Sequence, residues 1–69
     1  MERTMVDSSN IVSIGYDQES QTLEIEFGNG GIYQYFDVPQ QVFNELMSSG
    51  SHGQYFHSNI KGYYRYAKS

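Results

Sequence analysis

The chain has no cysteine, only two histidines and four cationic side chains, and each shortage excludes something. Without cysteine there is no disulfide framework. His52 and His57 stand five positions apart, a spacing that suits neither a helical metal pair at i, i+4 nor a catalytic triad. Two of the usual supports of a small domain are therefore missing, and a single core in a chain under about 70 to 80 residues supplies only about 3 to 5 kcal/mol. Close aromatic packing and self-association, as a homodimer, are the expected substitutes. The lack of cysteine also fits a reducing cytoplasm. The start, MERTMVDSSN, has no apolar run of the signal-peptide kind. No segment approaches the roughly 18 apolar residues of a membrane span. A soluble, cytoplasmic protein with no membrane partner is expected.

Catalytic machinery is equally sparse. No cysteine nucleophile exists, and the serines have no credible base beside them. Gly28 to Gly31 carries no phosphate-binding lysine and no strand-to-helix context, so it reads as a turn. Glu24 and Glu26 share one strand face, where paired carboxylates are most simply the solvated side. The expectation is a non-catalytic protein with no metal and no cofactor.

What the chain does have is a clear alternation at Thr22 to Phe36. Leu23, Ile25 and Phe27 alternate with Thr22, Glu24 and Glu26, the period of a strand with one buried face. Asn29-Gly30 then marks a hairpin, and Ile32 to Phe36 is the returning strand. The register stays open. A two-residue turn sets Tyr33 and Tyr35 opposite Glu26 and Glu24, whereas a three-residue loop with a bulge moves both tyrosines to the apolar face. Upstream, Asn10 to Tyr16 reads as a strand with Val12, Ile14 and Tyr16 on one face and Ile11, Ser13 and Gly15 on the other. Residues 1–9 show no sustained period and are expected to form a flexible arm, with Met5 or Val6 able to extend the first strand.

Downstream, Asp37 and Gln40 have the spacing of a capping box, with Pro39 in the first helical turn. Pro39, Val42, Phe43, Leu46 and Met47 form one amphipathic stripe, and Gly50 supplies a stop. Ser51 and Gln54 repeat the cap pattern before a short helix from His52 to about Asn59, with Phe56 and Ile60 one turn apart, and Gly62 ends it. The fold class is α+β: a three-stranded antiparallel meander with one amphipathic helix packed on it, then a short helix and an extended C-terminal segment, all in one domain over residues 10–69.

Charge is unevenly distributed. The net charge is −4, yet Lys61, Arg65 and Lys68 fall in the last nine positions and no acid follows Glu45. In that tail Lys61, Tyr63, Tyr64, Arg65, Tyr66 and Lys68 alternate cations with rings, the composition of a surface that stacks bases and holds phosphates. At least one ring should cover the small core, since successive residues of an extended chain face opposite ways. Two stacked bases at about 1 to 3 kcal/mol each, with three cations, give an affinity of about millimolar to tens of micromolar. Such a site is auxiliary, and gains from tethering or from repetition in a dimer.

IGYD at Ile14 to Asp17, TLEIEF at Thr22 to Phe27, YQY at Tyr33 to Tyr35, VP before a helix at Val38, and Gly-x-Tyr-Phe at Gly53 to Phe56 together resemble the KTSC domain. That domain is named for its place at the C-terminus of some lysyl-tRNA synthetases and also occurs as short bacterial proteins. The likeness covers about Ser9 to Tyr66. It implies RNA, or tRNA, as a weak partner by way of the synthetase context, and its central Tyr-x-Tyr falls on Tyr33 and Tyr35. The expected function is thus a binding module for RNA or single-stranded nucleic acid, using the tail with Tyr33 and Tyr35. The alternative is a protein-interaction or self-association module using the same tyrosines.

Overall fold

The computed structural model describes all residues 1–69. Five antiparallel strands lie side by side in chain order: β1 (Arg3–Met5), β2 (Ile11–Asp17), β3 (Thr22–Phe27), β4 (Ile32–Tyr35) and β5 (Tyr66–Lys68). Between β4 and β5 the chain forms α1 (Gln40–Ser48) and α2 (His52–Asn59). The α+β class holds, but the expected three strands become five. Both additions are three-residue edge strands, too short to carry a period of their own. β1 is drawn from the stretch expected to be an arm and pairs Arg3 with Gly15 and Met5 with Ser13. β5 is the extended tail, which pairs Tyr33 with Lys68 and Tyr35 with Tyr66.

The hairpin register is set by a three-residue loop. Gly30, at φ +92, donates its N–H to the Phe27 carbonyl at 2.9 Å, and the Phe27 N–H reaches the Gly31 carbonyl at 2.8 Å. Ile25 then faces Tyr33 and Leu23 faces Tyr35, so both tyrosines lie on the apolar side. A second irregularity corrects the first-strand reading. Ile11 pairs with Phe27 while Ser13 pairs with Glu26, which leaves Val12 in a bulge. Ile11 is therefore buried in the core beside Ile14, and Val12 is only half-buried.

Both helices cover that face. Leu46 of α1 and Phe56 of α2, with Ile60 and Val38, close over Ile14, Leu23, Ile25 and Tyr35. Phe43 stacks on Tyr16 at 4.8 Å, whose hydroxyl donates to the Val38 carbonyl. α2 starts as its sequence pattern requires, with the Ser51 hydroxyl accepting from the Gln54 N–H at 3.3 Å. The capping box proposed for α1 does not form. Pro39 is the N-cap, with no side-chain bond, and Asp37 sits at φ 59, where its carboxylate meets Arg65 at 3.0 Å instead.

The opposite face of the sheet carries no helix and is bridged by charge. Arg3 lies 2.8 Å from Glu24 and 3.6 Å from Glu26, while Gln34 donates to Glu24 and Ser13 to Glu26. Gly15 makes this crossing feasible, because a Cβ there would stand 2.6 Å from the Glu2 carbonyl oxygen and 2.9 Å from the Arg3 side chain.

Candidate functional site

Pairing of β4 with β5 brings together residues that are about thirty positions apart. Residues alternate between the two faces of a strand, so Tyr33, Tyr35, Tyr66 and Lys68 all lie on the helix side. The ring of Tyr66 stands 5.9 Å from Tyr33 and 5.8 Å from Tyr35, and those two are 6.5 Å apart and nearly parallel. Phe27 and Phe56 complete the cluster through edge contacts, Phe27 to Tyr33 at 5.6 Å and Phe56 to Tyr35 at 5.4 Å. Such pairs are favoured beyond the area they bury. The rings grade outward from Tyr35, 5% exposed, through half-buried Tyr33 to Tyr66, 62% exposed.

Above these rings runs a cleft of about 390 Å³ between the β3–β4 hairpin, α2 and β5. Its floor is aromatic and its rim polar, with Asn10, Asn29, His57 and Lys61 around the edge and no carboxylate among its lining residues. Lys68 stands beside it, with Nζ 5.9 Å from the Tyr33 ring centre. Asn29 is oriented by the Gly31 N–H, which binds its side-chain oxygen at 2.9 Å and leaves the amide N–H groups as donors. Asn10 packs against Gly53, where a Cβ would come within 2.5 Å of its side-chain oxygen. That contact is the reason for a glycine in the first turn of α2, a position where it otherwise weakens a helix.

The Tyr35 hydroxyl is the one polar group deep in this floor, and no side chain or backbone group of the protein bonds to it. No sealed side-chain polar atom in the protein lacks a partner, so this hydroxyl opens on the cleft. Burial, with smaller contributions from Tyr33 and Tyr66, pushes its pKa up to about 12. The phenol thus stays protonated at neutral pH and remains able to donate a hydrogen bond.

The cations divide in two. Arg3 and Arg65 are held by carboxylates, but Lys61 and Lys68 have no acidic group within ion-pair distance. An acidic molecule therefore presents two unneutralised ammonium groups beside one aromatic cleft. Of the eight residues expected at a site, Tyr33, Tyr35, Lys61, Tyr66 and Lys68 come together here. Tyr63, Tyr64 and Arg65 do not. They line, with Phe36, Gly62 and Tyr66, a separate shallow hollow, where Arg65 lies 5.4 Å over the Phe36 ring. Tyr64 packs partly on the core, the covering role expected of one tail ring, and Tyr63 is 70% exposed.

Sequence reasoning missed Asn10, Asn29, Phe27, Phe56 and His57 as parts of the cleft. Asn29 read only as a turn residue, Asn10 as the start of a strand, and the rings as core. Gly53 to Phe56 was the usable signal, since a glycine in the first turn of a helix, followed by two aromatics, marks a close approach.

The KTSC domain family model matches residues 7–64. A lysine–tRNA ligase of Nostoc sp. is 47% identical over 60 residues, which are 87% of this chain and 11% of that protein. The chain thus spans about a tenth of the ligases it matches. A protein of Stutzerimonas stutzeri is 42% identical over 67 residues, covering 96% of this chain and 94% of its own. The crystal structure of a KTSC domain protein from Yersinia pestis superposes with a TM-score of 0.97 at 43% identity, over 99% of this chain and 96% of that one. With the same order of strands and helices and a family match over most of its length, the chain belongs to the KTSC domain family.

Proposed function

We propose that the protein is a non-catalytic module that binds single-stranded RNA weakly through the cleft. The observation that carries this reading is the meeting of Tyr33, Tyr35 and Tyr66 with the two cationic side chains outside ion pairs, Lys61 and Lys68, around a cleft of about 390 Å³ without carboxylates among its lining residues. A base stacks on rings of either sequence class, and phosphates need cations that are not already neutralised. The donor groups of Asn29 and Tyr35 suit the ring nitrogens and carbonyls of a base. Similarity to a segment of lysine–tRNA ligases supports RNA, tRNA included, as the ligand class.

The test is an NMR titration of labelled protein with a short mixed-sequence RNA at several salt concentrations. Shifts should centre on Tyr33, Tyr35, Lys61, Tyr66 and Lys68. Because Arg65 is tied to Asp37, two cations rather than three set the salt dependence, and the log–log slope should be about −1.4. An unchanged spectrum at millimolar RNA would overturn the reading. A second reading, a protein or self-association partner, is favoured by the free outer edge of β5 and the exposed Tyr63 and Tyr66 beside it. A melting temperature that rises with protein concentration would support a second copy as that partner.

A further inference from the structure

The polar side chains around the cleft are weighted toward hydrogen-bond donors. The Asn29 side-chain oxygen accepts the Gly31 N–H at 2.9 Å, and the Asn10 side-chain oxygen accepts the Ser8 hydroxyl at 3.3 Å. Both residues line the cleft, and no group of the protein uses their amide N–H groups. Lys61, also in the lining, has donors alone, and no lining residue is a carboxylate. Deeper in the floor, Tyr35 is 5% exposed, yet its hydroxyl is bound by nothing in the protein. An enclosed hydroxyl without a protein partner costs stability that phenylalanine at the same position would not, so its use lies outside the fold. Tyr66 packs on Tyr33 and Tyr35 at 5.9 and 5.8 Å, so a ligand enters the open cleft and lies against these rings rather than between them.

We infer that the cleft discriminates among bases, taking uracil in preference to cytosine, with Asn29 and Tyr35 as the selecting residues. This inference rests on the RNA reading of the cleft and adds a specificity to it. Uracil carries a carbonyl where cytosine carries an amino group. A carbonyl there accepts from an amide N–H, whereas an amino group sets donor against donor and leaves both unpaired. The mismatch is costly because the groups have left water. The tyrosine hydroxyl both donates and accepts, so it anchors any base with a polar edge, and the amide supplies the choice between the two. Substitutions separate these roles. Asn29→Asp keeps an oxygen for the Gly31 N–H and removes the donor. Tyr35→Phe removes a hydroxyl that makes no bond within the protein and leaves the ring in the core.

Three oligonucleotides of equal length and charge test this in NMR titrations: oligouridine, oligocytidine, and an oligomer of difluorophenyl ribonucleotides, which copy the outline of uracil without its hydrogen-bonding edge. Phosphate contacts and salt act on all three alike, so the ratios of their affinities report on the bases. Oligouridine should bind about tenfold more tightly than oligocytidine, the penalty expected for one donor left unpaired. In Asn29→Asp that ratio should fall to one or invert, even though the added charge weakens every ligand. In Tyr35→Phe the advantage of oligouridine over the difluorophenyl oligomer should shrink several-fold, while the variant melts no lower than the parent chain. Equal binding of uridine and cytidine oligomers, or a preference that neither variant changes, would overturn the selectivity while RNA binding at the cleft stands. If no oligomer binds, both fall. A Tyr35→Phe chain that melts well below the parent would show that the hydroxyl serves the fold, and its assignment to the ligand would be overturned.

Discussion

At the scale of single residues, the most tightly constrained charge lies away from the cleft, on the open face of the sheet. The Glu24 side chain is 13% exposed and accepts hydrogen bonds from Gln34 and Arg3 at 2.9 and 2.8 Å. Those bonds, Gln34 first and then Arg3, outweigh burial and hold its carboxyl below the ordinary value of 4.5. A carboxyl whose folded pKa is depressed stabilises the fold fully above its unfolded pKa, and loses that contribution as pH falls through the folded value. Melting temperature followed from pH 7 to pH 2 should therefore begin to drop below about 4.5 through Glu24. The Glu24→Gln variant should lose part of that pH dependence and be less stable than the parent at pH 7, because Arg3 keeps only its longer contact with Glu26. An acid profile identical in parent and variant would show that the Glu24 carboxylate contributes nothing to folding through Gln34 and Arg3.

At the scale of elements, the β3–β4 hairpin decides whether the aromatic cleft forms, since its loop puts Tyr33 and Tyr35 on the helix side. Gly30 holds φ +92 with no heavy atom near its absent Cβ, so Gly30→Ala meets a backbone cost without a clash, about 1 kcal/mol. Gly50→Ala, also free of neighbours and with no left-handed backbone, is the control and should be neutral or slightly stabilising in urea unfolding. The register should survive in Gly30→Ala, because a slip of one residue would expel Tyr35 from the core. The inter-strand contact of Tyr35 with Leu23 in NMR spectra checks this point. Legibility in the sequence followed the range of the forces involved. β3, β4 and α2 were readable because alternation and the Ser51 cap act within a few residues. The hairpin turn was readable as a turn but not in its register, which depends on how many residues the loop takes. Asp37 was misread because its spacing to Gln40 suits a cap, while its actual partner, Arg65, comes from the far end of the chain. β1 and β5 were illegible for the same reason: three residues become a strand only when a neighbouring edge is present. The cleft inherited that limit. Its tyrosines and lysines were recognisable by composition, but the split of Tyr63, Tyr64 and Arg65 from the rest follows from the pairing of β5.

At the scale of the whole molecule, the proposed binding of RNA at the cleft would work against the field of the protein. The chain carries a net charge of −4, and its extents are 28 × 24 × 23 Å. The Debye length is about 30 Å at 0.01 M salt and about 8 Å at 0.15 M, so at low salt every carboxylate acts on a ligand in the cleft and at physiological salt only the near ones do. Glu2, Asp7 and Glu19 are exposed, and none of their side chains makes a hydrogen bond or ion pair. Replacing them with Gln, Asn and Gln removes three negative charges without touching the core or the cleft. For a short RNA with two phosphates near the lysines, the change should raise affinity about threefold at 0.01 M salt and by little at 0.15 M. Parent and variant titrated at both concentrations give the answer directly. The two log–log plots should differ in slope and converge as salt rises, because the protein's repulsion partly cancels the attraction of Lys61 and Lys68. Parallel lines displaced at every salt concentration would place at least one of the three carboxylates at the site itself, and the site would then extend beyond the cleft.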